Sequence, residues 1–333
     1  MAVNSVNAIR KELLRRGFHN PRMAEIESHL VGSGSKACKY LIFMGLYPLP
    51  DPAVHTDPGS AVIAPFAAVH YYRRCTKTLQ NLVSELRHET GIPKRDIRIF
   101  SNSRLPERSI AAALGMGWVG RNGLLMNREY GSSFVLAGML IVLDPPNETL
   151  LQGTGELPRI LSLKAPPDPH RECGKCSACV MACPTGAIST TGGVSLERCL
   201  QYLSTSTEDL PEFALAAWGR RLYGCQECQN NCPVNINRNH REPPDIPAGE
   251  EYPIHELLTR FALHPASALK EIFPGTALEA GWIPRESILR NLLIAAGNSK
   301  DSSLEPLIHP FLKDPHPIVT HAASFALYQI SVK

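Results

Sequence analysis

Eight of the chain's ten cysteines fall between Cys173 and Pro233. The stretch opens as Cys173-x2-Cys176-x2-Cys179-x3-Cys183-Pro184 and closes as Cys225-x2-Cys228-x3-Cys232-Pro233, with Cys199 ahead of the second group. The first run has the spacing of a bacterial-type [4Fe–4S] ligand set, in which the short steps wrap one cube and the cysteine before proline reaches a second one. Two interleaved cubes follow from that rule. Cys173, Cys176 and Cys179 share the first with Cys232; Cys199, Cys225 and Cys228 share the second with Cys183. Structural zinc also takes four thiolates, but its knuckles come as separated Cys-x-x-Cys pairs. Disulfides need an oxidising compartment, to which nothing in the sequence directs the chain. The spacing therefore points to iron and sulfide, with zinc as the alternative.

The length of 333 residues suggests about two domains with a small module between them. A composition that is 44% hydrophobic and 20% charged argues against disorder, and a formal net charge of +3 sets no global demand for nucleic acid, though a local basic face remains open. The N-terminal residues lack the uninterrupted apolar core of a signal peptide. No apolar run approaches the roughly 20 residues that span a bilayer. The expectation is a cytoplasmic protein without membrane contact, in which thiols stay reduced and available to iron.

Periodicity predicts an amphipathic helix over 5–16, a buried strand over 39–47, and an irregular loop through Pro48, Pro50 and Pro52. An apolar run follows over 61–69, then a helix over 72–88 and a short strand over 97–100. A helix from Pro106 should end at Gly115 or Gly117, and the glycines of Gly117-Trp118-x-Gly120-Arg121-Asn122 suit a turn in which backbone approaches something closely. Residues 134–143 read as one strand or two short ones. Prolines cluster over 144–171 and again over 243–253, which marks two boundaries. Between the cysteine groups, helices are expected over 200–203 and 213–218. Helical patterns at 286–297, 306–312 and 317–330 resemble HEAT-type hairpins, with Asn291 and His321 interrupting apolar stripes. Cys38 and Cys75 read as ordinary buried thiols.

The expected fold is thus a multidomain α+β chain: an N-terminal α/β domain over 1–143, a ferredoxin-like double-cluster domain over 144–252, and a HEAT-like α-helical tail over 253–333.

Taken together these residues resemble the epoxyqueuosine reductase family, the cobalamin-dependent iron–sulfur enzymes of queuosine biosynthesis. The resemblance is carried by Glu107-Arg108, Gly117-Trp118-x-Gly120-Arg121-Asn122, Gly131-Ser132, the Cys173 run ending in Pro184-Thr185-Gly186-Ala187-Ile188, Cys199-x-x-Tyr202-Leu203, Tyr223-Gly224-Cys225, Cys232-Pro233-x-Asn235, and Arg290-Asn291 with Gly297-Asn298. It implies that the N-terminal domain binds cobalamin, with Asn122, Gln201 and Gln226 as candidate contacts. It implies two [4Fe–4S] clusters, tRNA as partner with Arg220, Arg221, Arg238 and Arg241 as candidate phosphate contacts, and an external electron donor such as a ferredoxin or flavodoxin. The implied reaction removes the epoxide oxygen from a modified base of the anticodon loop.

Two positions depart from the family pattern. Counting back from Glu107-Arg108, the proton-donating aspartate of the family falls on Ser101, and a hydroxyl is a far weaker acid. An Asp-Tyr-His triplet is replaced by His70-Tyr71-Tyr72, which makes His70 a second candidate for proton transfer. The chain thus reads as a divergent member of the family. Two other readings stand beside this one: a corrinoid-dependent reductase of another substrate, and a two-cluster electron-transfer protein without catalysis.

Overall fold

The computed structural model describes residues 3–32, 39–50, 57–143, 147–152, 154–163, 171–239, 251–264 and 268–332. Its residues form two compact units, each built from separated stretches of chain: 1–49, 71–176 and 234–240 in the first, and 50–70, 177–233 and 241–333 in the second. The units change at 49/50, 70/71, 176/177, 233/234 and 240/241, positions unlike the expected divisions at 143/144 and 252/253. Proline clusters marked where the composition shifts, whereas the compact units are set by which segments pair.

The first unit is organised on a five-stranded sheet in the order Ile97–Phe100, Phe134–Leu143, Lys39–Pro48, His19–Glu27, Arg159–Ile160. All neighbours run antiparallel except the last pair. A doubly wound parallel sheet, the usual meaning of α/β, is therefore not what forms here. Lys39–Pro48 pairs along its whole length with Phe134–Leu143, from Lys39 opposite Leu143 to Pro48 opposite Phe134. Residues 41–44 are buried without alternation, as a central strand covered on both faces requires. The expected strand and the single ten-residue reading of 134–143 both appear.

Helix Tyr71–Thr90 buries Tyr71, Cys75, Leu79, Leu82, Val83 and Leu86, a stripe at helical spacing. Cys75 is fully buried, and burial pushes its thiol up to about 12. It is the inert thiol the sequence suggested; Cys38 lies outside the described residues. The N-terminal helix spans Val6–Arg15, with the Ser5 hydroxyl accepting the Ala8 N–H at 3.4 Å as its N-cap.

In the second unit, Ser60–Ile63 pairs antiparallel with Glu251–Pro253 and parallel with Arg221–Tyr223. The apolar run at 61–69 is thus a strand followed by a one-turn helix, Pro65–Ala68. Trp218, Phe261 and Phe273 fill a core shared with helices Arg285–Ser299 and Pro317–Ser331. Those two helices touch closely: a Cβ on Gly297 would lie 2.7 Å from the Ala326 Cα.

Helix Arg285–Ser299 is buried from Ser287 to Gly297, polar residues included. Arg290, 1% exposed, donates to the carbonyls of Leu203 (2.9 Å), Ser206 (2.7 Å) and Glu208 (2.9 Å), while Asn291 Nδ2 donates to Ser204 and Leu222 carbonyls, both at 2.9 Å. His321, which interrupts the apolar stripe of helix Pro317–Ser331, is not packed: its side chain is exposed and pairs with Asp209 at 2.9 Å.

The sheet of the first unit has one point of no tolerance. A Cβ at Gly138 would fall 2.0 Å from the Phe43 carbonyl oxygen and 2.6 Å from the Phe100 ring. Gly138→Ala is expected to lower stability by about 3 kcal/mol, because backbone rather than a flexible side chain stands in the way. A urea midpoint equal to that of the unsubstituted protein would contradict this packing. Thiol labelling at pH 8 without denaturant should leave Cys75 unmodified, and unfolding should expose it.

Candidate iron–sulfur centre and polar site

The cysteine-rich stretch is a set of short helices and turns. Cys183 closes helix Ala178–Ala182, and the turn after Pro184 folds back over its sulfur: the Ala187 N–H donates to Cys183 Sγ at 3.2 Å. Burial pushes the Cys183 thiol up, but the N–H groups of Thr185, Ala187 and Ile188 with the Thr185 hydroxyl outweigh it and hold the thiol below its ordinary value. A small hairpin, bridged between Ile188 and Val194, then leads toward Cys199. Its two ends are clipped together. The Thr185 hydroxyl donates to the Arg198 carbonyl at 2.6 Å, Arg198 Nε donates to the Thr185 carbonyl at 2.8 Å, and the Arg198 guanidinium lies 4.3 Å from the Phe213 ring centroid. The loops bearing Cys183 and Cys199 are therefore held to one another by a side chain that is not itself a ligand.

Cys199 leads into helix Leu200–Leu203, and Gln201 of that helix accepts the Cys225 N–H on its Oε1 at 3.2 Å. Helix Glu227–Asn230, which carries Cys228, packs against the helix that carries Cys179. Burial pushes the Cys225 thiol up, partly offset by the nearby Arg221 charge; the Cys199 sulfur is close enough to push in the same direction as burial. Cys183, Cys199, Cys225 and Cys228, the four expected for the second cube, all lie in the second unit. Of the first set, Cys179 and Cys232 belong to the second unit and Cys173 and Cys176 to the first.

Cys173 and Cys176 sit on a tight turn, with the Cys176 N–H on the Cys173 carbonyl at 3.0 Å and Gly174 at φ 52°. Arg121 holds that turn by donating to the Gly174 carbonyl at 2.9 Å. The segment after Cys232 is anchored in the same unit. Asn235, 4% exposed, accepts the Ser132 N–H at 2.6 Å and donates to the Ser132 hydroxyl at 3.0 Å. A Cβ on Gly131 would strike the Asn235 amide. The Gly131-Ser132 and Cys232-Pro233-x-Asn235 motifs are thus two halves of one contact.

The glycines of residues 117–122 have a partner too, and it is the chain itself. Trp118–Val119 pairs with Leu125–Met126, and a Cβ at Gly117 would lie 2.0 Å from the Met126 carbonyl oxygen. Within this hairpin Asn122 is 8% exposed and its Oδ1 accepts the Leu124 N–H at 3.2 Å, while Trp118 Nε1 is buried without an acceptor. A buried indole N–H normally finds one. An acceptor-rich group such as the amide-edged rim of a corrinoid suits that orphan donor.

Ser101 gives its hydroxyl proton to the Leu136 carbonyl at 2.9 Å. Glu107 accepts from the N–H groups of Ser103 (2.7 Å) and Asn102 (3.2 Å), and so ties down the loop that follows Ser101. Burial pushes the Glu107 carboxyl above its ordinary value despite those donors. The same carboxylate, behind burial as the larger cause, raises the Tyr72 phenol. His70 belongs to the second unit, where its N–H meets the Gly275 carbonyl at 2.9 Å. Gln226 caps helix Glu227–Asn230 and lines an open depression of about 260 Å³ with Arg220, Arg221, Cys225 and Pro65. That space is several-fold too small for a corrinoid.

The candidate phosphate contacts have structural work. Arg220 donates to the Asp57 and Ser60 carbonyls, Arg221 to the Ala217 and Trp218 carbonyls and to Glu227, and Arg238 to the Asn235 carbonyl. Arg241 lies outside the described residues. Sequence reasoning missed Arg198, Thr185 and Asn127, whose Nδ2 donates to the Met116 carbonyl and whose Oδ1 takes the N–H of Glu129 and Tyr130. Only Thr185 left a trace, through the Pro-Thr-Gly-Ala-Ile motif.

Residues 172–235 match the family described as "4Fe-4S double cluster binding domain". Fold and site together define an iron–sulfur protein with a two-cluster module. Over 276 residues the chain is 31% identical to the epoxyqueuosine reductase of Escherichia coli, an alignment covering 82% of this chain and 67% of that one. The chain belongs to the epoxyqueuosine reductase family. It is 29% identical over 250 residues to the corresponding protein of Aliivibrio fischeri, 74% of this chain and 61% of the relative. The chain spans about three fifths of the length of such relatives. Among solved structures, epoxyqueuosine reductase bound to an epoxyqueuosine-modified tRNA-Tyr stem loop superposes with a TM-score of 0.73 at 21% identity, covering 97% of this chain and 89% of that one. The Streptococcus thermophilus enzyme gives 0.73 at 21% identity, covering 100% and 91%.

Cys199→Ser should halve the iron bound by anaerobically prepared protein, from about eight atoms per chain to about four, because it removes a corner of one cube only. Zinc in place of iron and sulfide would overturn the ligand assignment. Asn235→Leu should cost about 1–3 kcal/mol by stranding the buried Ser132 N–H, read as a lowered urea midpoint.

Proposed function

We propose that this protein is a reductase of the epoxyqueuosine type, acting on an epoxide-bearing nucleoside of tRNA with electrons passed through two [4Fe–4S] clusters. Membership of the family, with a two-cluster domain match over residues 172–235 that spans all eight of these cysteines, is the observation that carries the reading. Cys173, Cys176, Cys179 and Cys232 hold one cluster and Cys183, Cys199, Cys225 and Cys228 the other. Residues 1–143 serve as the corrinoid and substrate part, 144–252 as the cluster part and 253–333 as a HEAT-like tail that supports the nucleic acid. The external donor is a small one-electron carrier, a ferredoxin or flavodoxin.

Cobalamin is the cofactor that fits the N-terminal hairpin, with the orphan Trp118 Nε1 and the buried Asn122 as its contacts. When bound, it supplies a strong metal-centred reductant beside the substrate. The protein's own task is to deliver protons. Removing an epoxide oxygen as water consumes two electrons and two protons, so an acid has to stand near the departing oxygen. Ser101 occupies the position of the family acid with its proton engaged by Leu136. Glu107 is the nearby carboxyl, and burial raises its affinity for a proton. His70 is the further candidate. The engaged Ser101 hydroxyl also favours a second reading, a two-cluster electron carrier that has no catalytic acid.

Anaerobic protein mixed with cobalamin is expected to carry corrin absorbance through gel filtration and to convert epoxyqueuosine in tRNA to queuosine when supplied with reductant. Ser101→Asp should raise turnover by about a hundredfold. Absence of corrin co-elution, with both clusters loaded and reducible, would leave the carrier reading; corrin binding with inert tRNA would point to another substrate.

A further inference from the structure

Gln201 is held unusually firmly for a residue of a one-turn helix. Its helix begins at Cys199, whose preceding residue, Arg198, is clipped to Thr185 and stacked on Phe213. At the other end Arg290 takes the Leu203 carbonyl, Asn291 takes the Ser204 carbonyl, and the Ser204 hydroxyl donates to the carbonyl of Gln201 itself at 2.8 Å. From this mount the side chain reaches across to the other ligand loop and accepts the Cys225 N–H at 3.2 Å. The partner is a donor, so the amide oxygen must face it. A fixed partial negative charge is thereby placed against the peptide of a cluster ligand, and that peptide's N–H is compensated by the amide instead of by sulfur.

Hydrogen bonds to cluster and ligand sulfurs, and the local charge, are among the levers that set an iron–sulfur potential. An uncompensated N–H favours the reduced, more negative cluster; an oxygen facing it does the opposite. We infer that Gln201 is a positioning and redox-tuning residue, which withholds the Cys225 N–H from the cluster held by Cys183, Cys199, Cys225 and Cys228 and keeps that cluster at low potential. The inference rests on the assignment of Cys199 and Cys225 to one cube. A low potential at one cluster and not the other gives electrons a direction through the module.

The experiment is a redox titration followed by electron paramagnetic resonance on anaerobic, fully loaded protein at pH 8, with iron and sulfide counted in each sample. Gln201→Leu removes the oxygen, and Gln201→Glu keeps an acceptor and adds charge. The expected result is that Leu moves one cluster to more positive potential by about a tenfold change in its reduction equilibrium, roughly 59 mV for one electron. Glu moves the same cluster to more negative potential, and the other cluster keeps its midpoint in both. A residue that only fills space would not give shifts of opposite sign. Unchanged midpoints, equal movement of both clusters, or shifts of the same sign in the two variants would each overturn the proposal. If Gln201→Leu loses iron, the negative shift in Gln201→Glu decides alone. A failure of the ligand assignment shows separately, as unsubstituted protein with a single cluster signal.

Discussion

Burying the guanidinium of Arg290 costs several kcal/mol unless each donor is met, and no carboxylate bonded to it meets them. Main-chain carbonyls of Leu203, Ser206 and Glu208 do, together with the side chain of Asn291. Desolvation lowers the Arg290 pKa to about 10, which still leaves it charged at neutral pH. The geometry cannot slip, because a carbonyl that lost its donor would be stranded in the core. Asn291 adds the Ser204 and Leu222 carbonyls, so one helix grips both the end of the Cys199 helix and the strand that leads to Cys225. The iron–sulfur loops have little apolar core of their own. Their rigidity is borrowed from the helix behind them.

That dependence explains which parts were legible in advance. The cysteine spacing declared its chemistry because three-residue steps around a cube leave no freedom, and the long elements at 39–48, 71–90 and 317–331 followed from a continuous apolar run in the first and apolar stripes at helical spacing in the other two. Arg290 and Asn291 were visible only as polar interruptions of an apolar stripe; the carbonyls they serve lie 69 to 87 residues away in sequence. The Gly117 and Gly120 turn was recognised as a place of close approach, but what approaches is the strand at Leu125–Met126. Periodicity carries no information about such pairings. The run at 61–69 broke into a strand and a helical turn because Pro65 removes an N–H that a longer strand would have needed.

The region around Ser101 is closed by its own polar side chains. With a hydroxyl there, the side chain joins the sheet by bonding the Leu136 carbonyl, and the loop beyond it is secured from the other side by Glu107. Asn102 takes a left-handed conformation, φ 52°, which asparagine tolerates better than most residues. The loop is thus complete as it stands, and any carboxylic acid chemistry at this point falls to a residue that already has a structural duty.

The interleaving of the two units bears on how the chain emerges from the ribosome. Strand Ser60–Ile63 is synthesised early, yet its partners Arg221–Tyr223 and Glu251–Pro253 come more than 150 residues later. Until then it is an apolar edge with unpaired backbone, the kind of segment that recruits chaperones or other chains. The first unit is also delayed, since Asn235 must arrive before Gly131 and Ser132 have their partner. Iron delivery therefore has to wait on late translation, and a nascent chain that paused before residue 221 would present five of its eight cluster cysteines with no cage to enter.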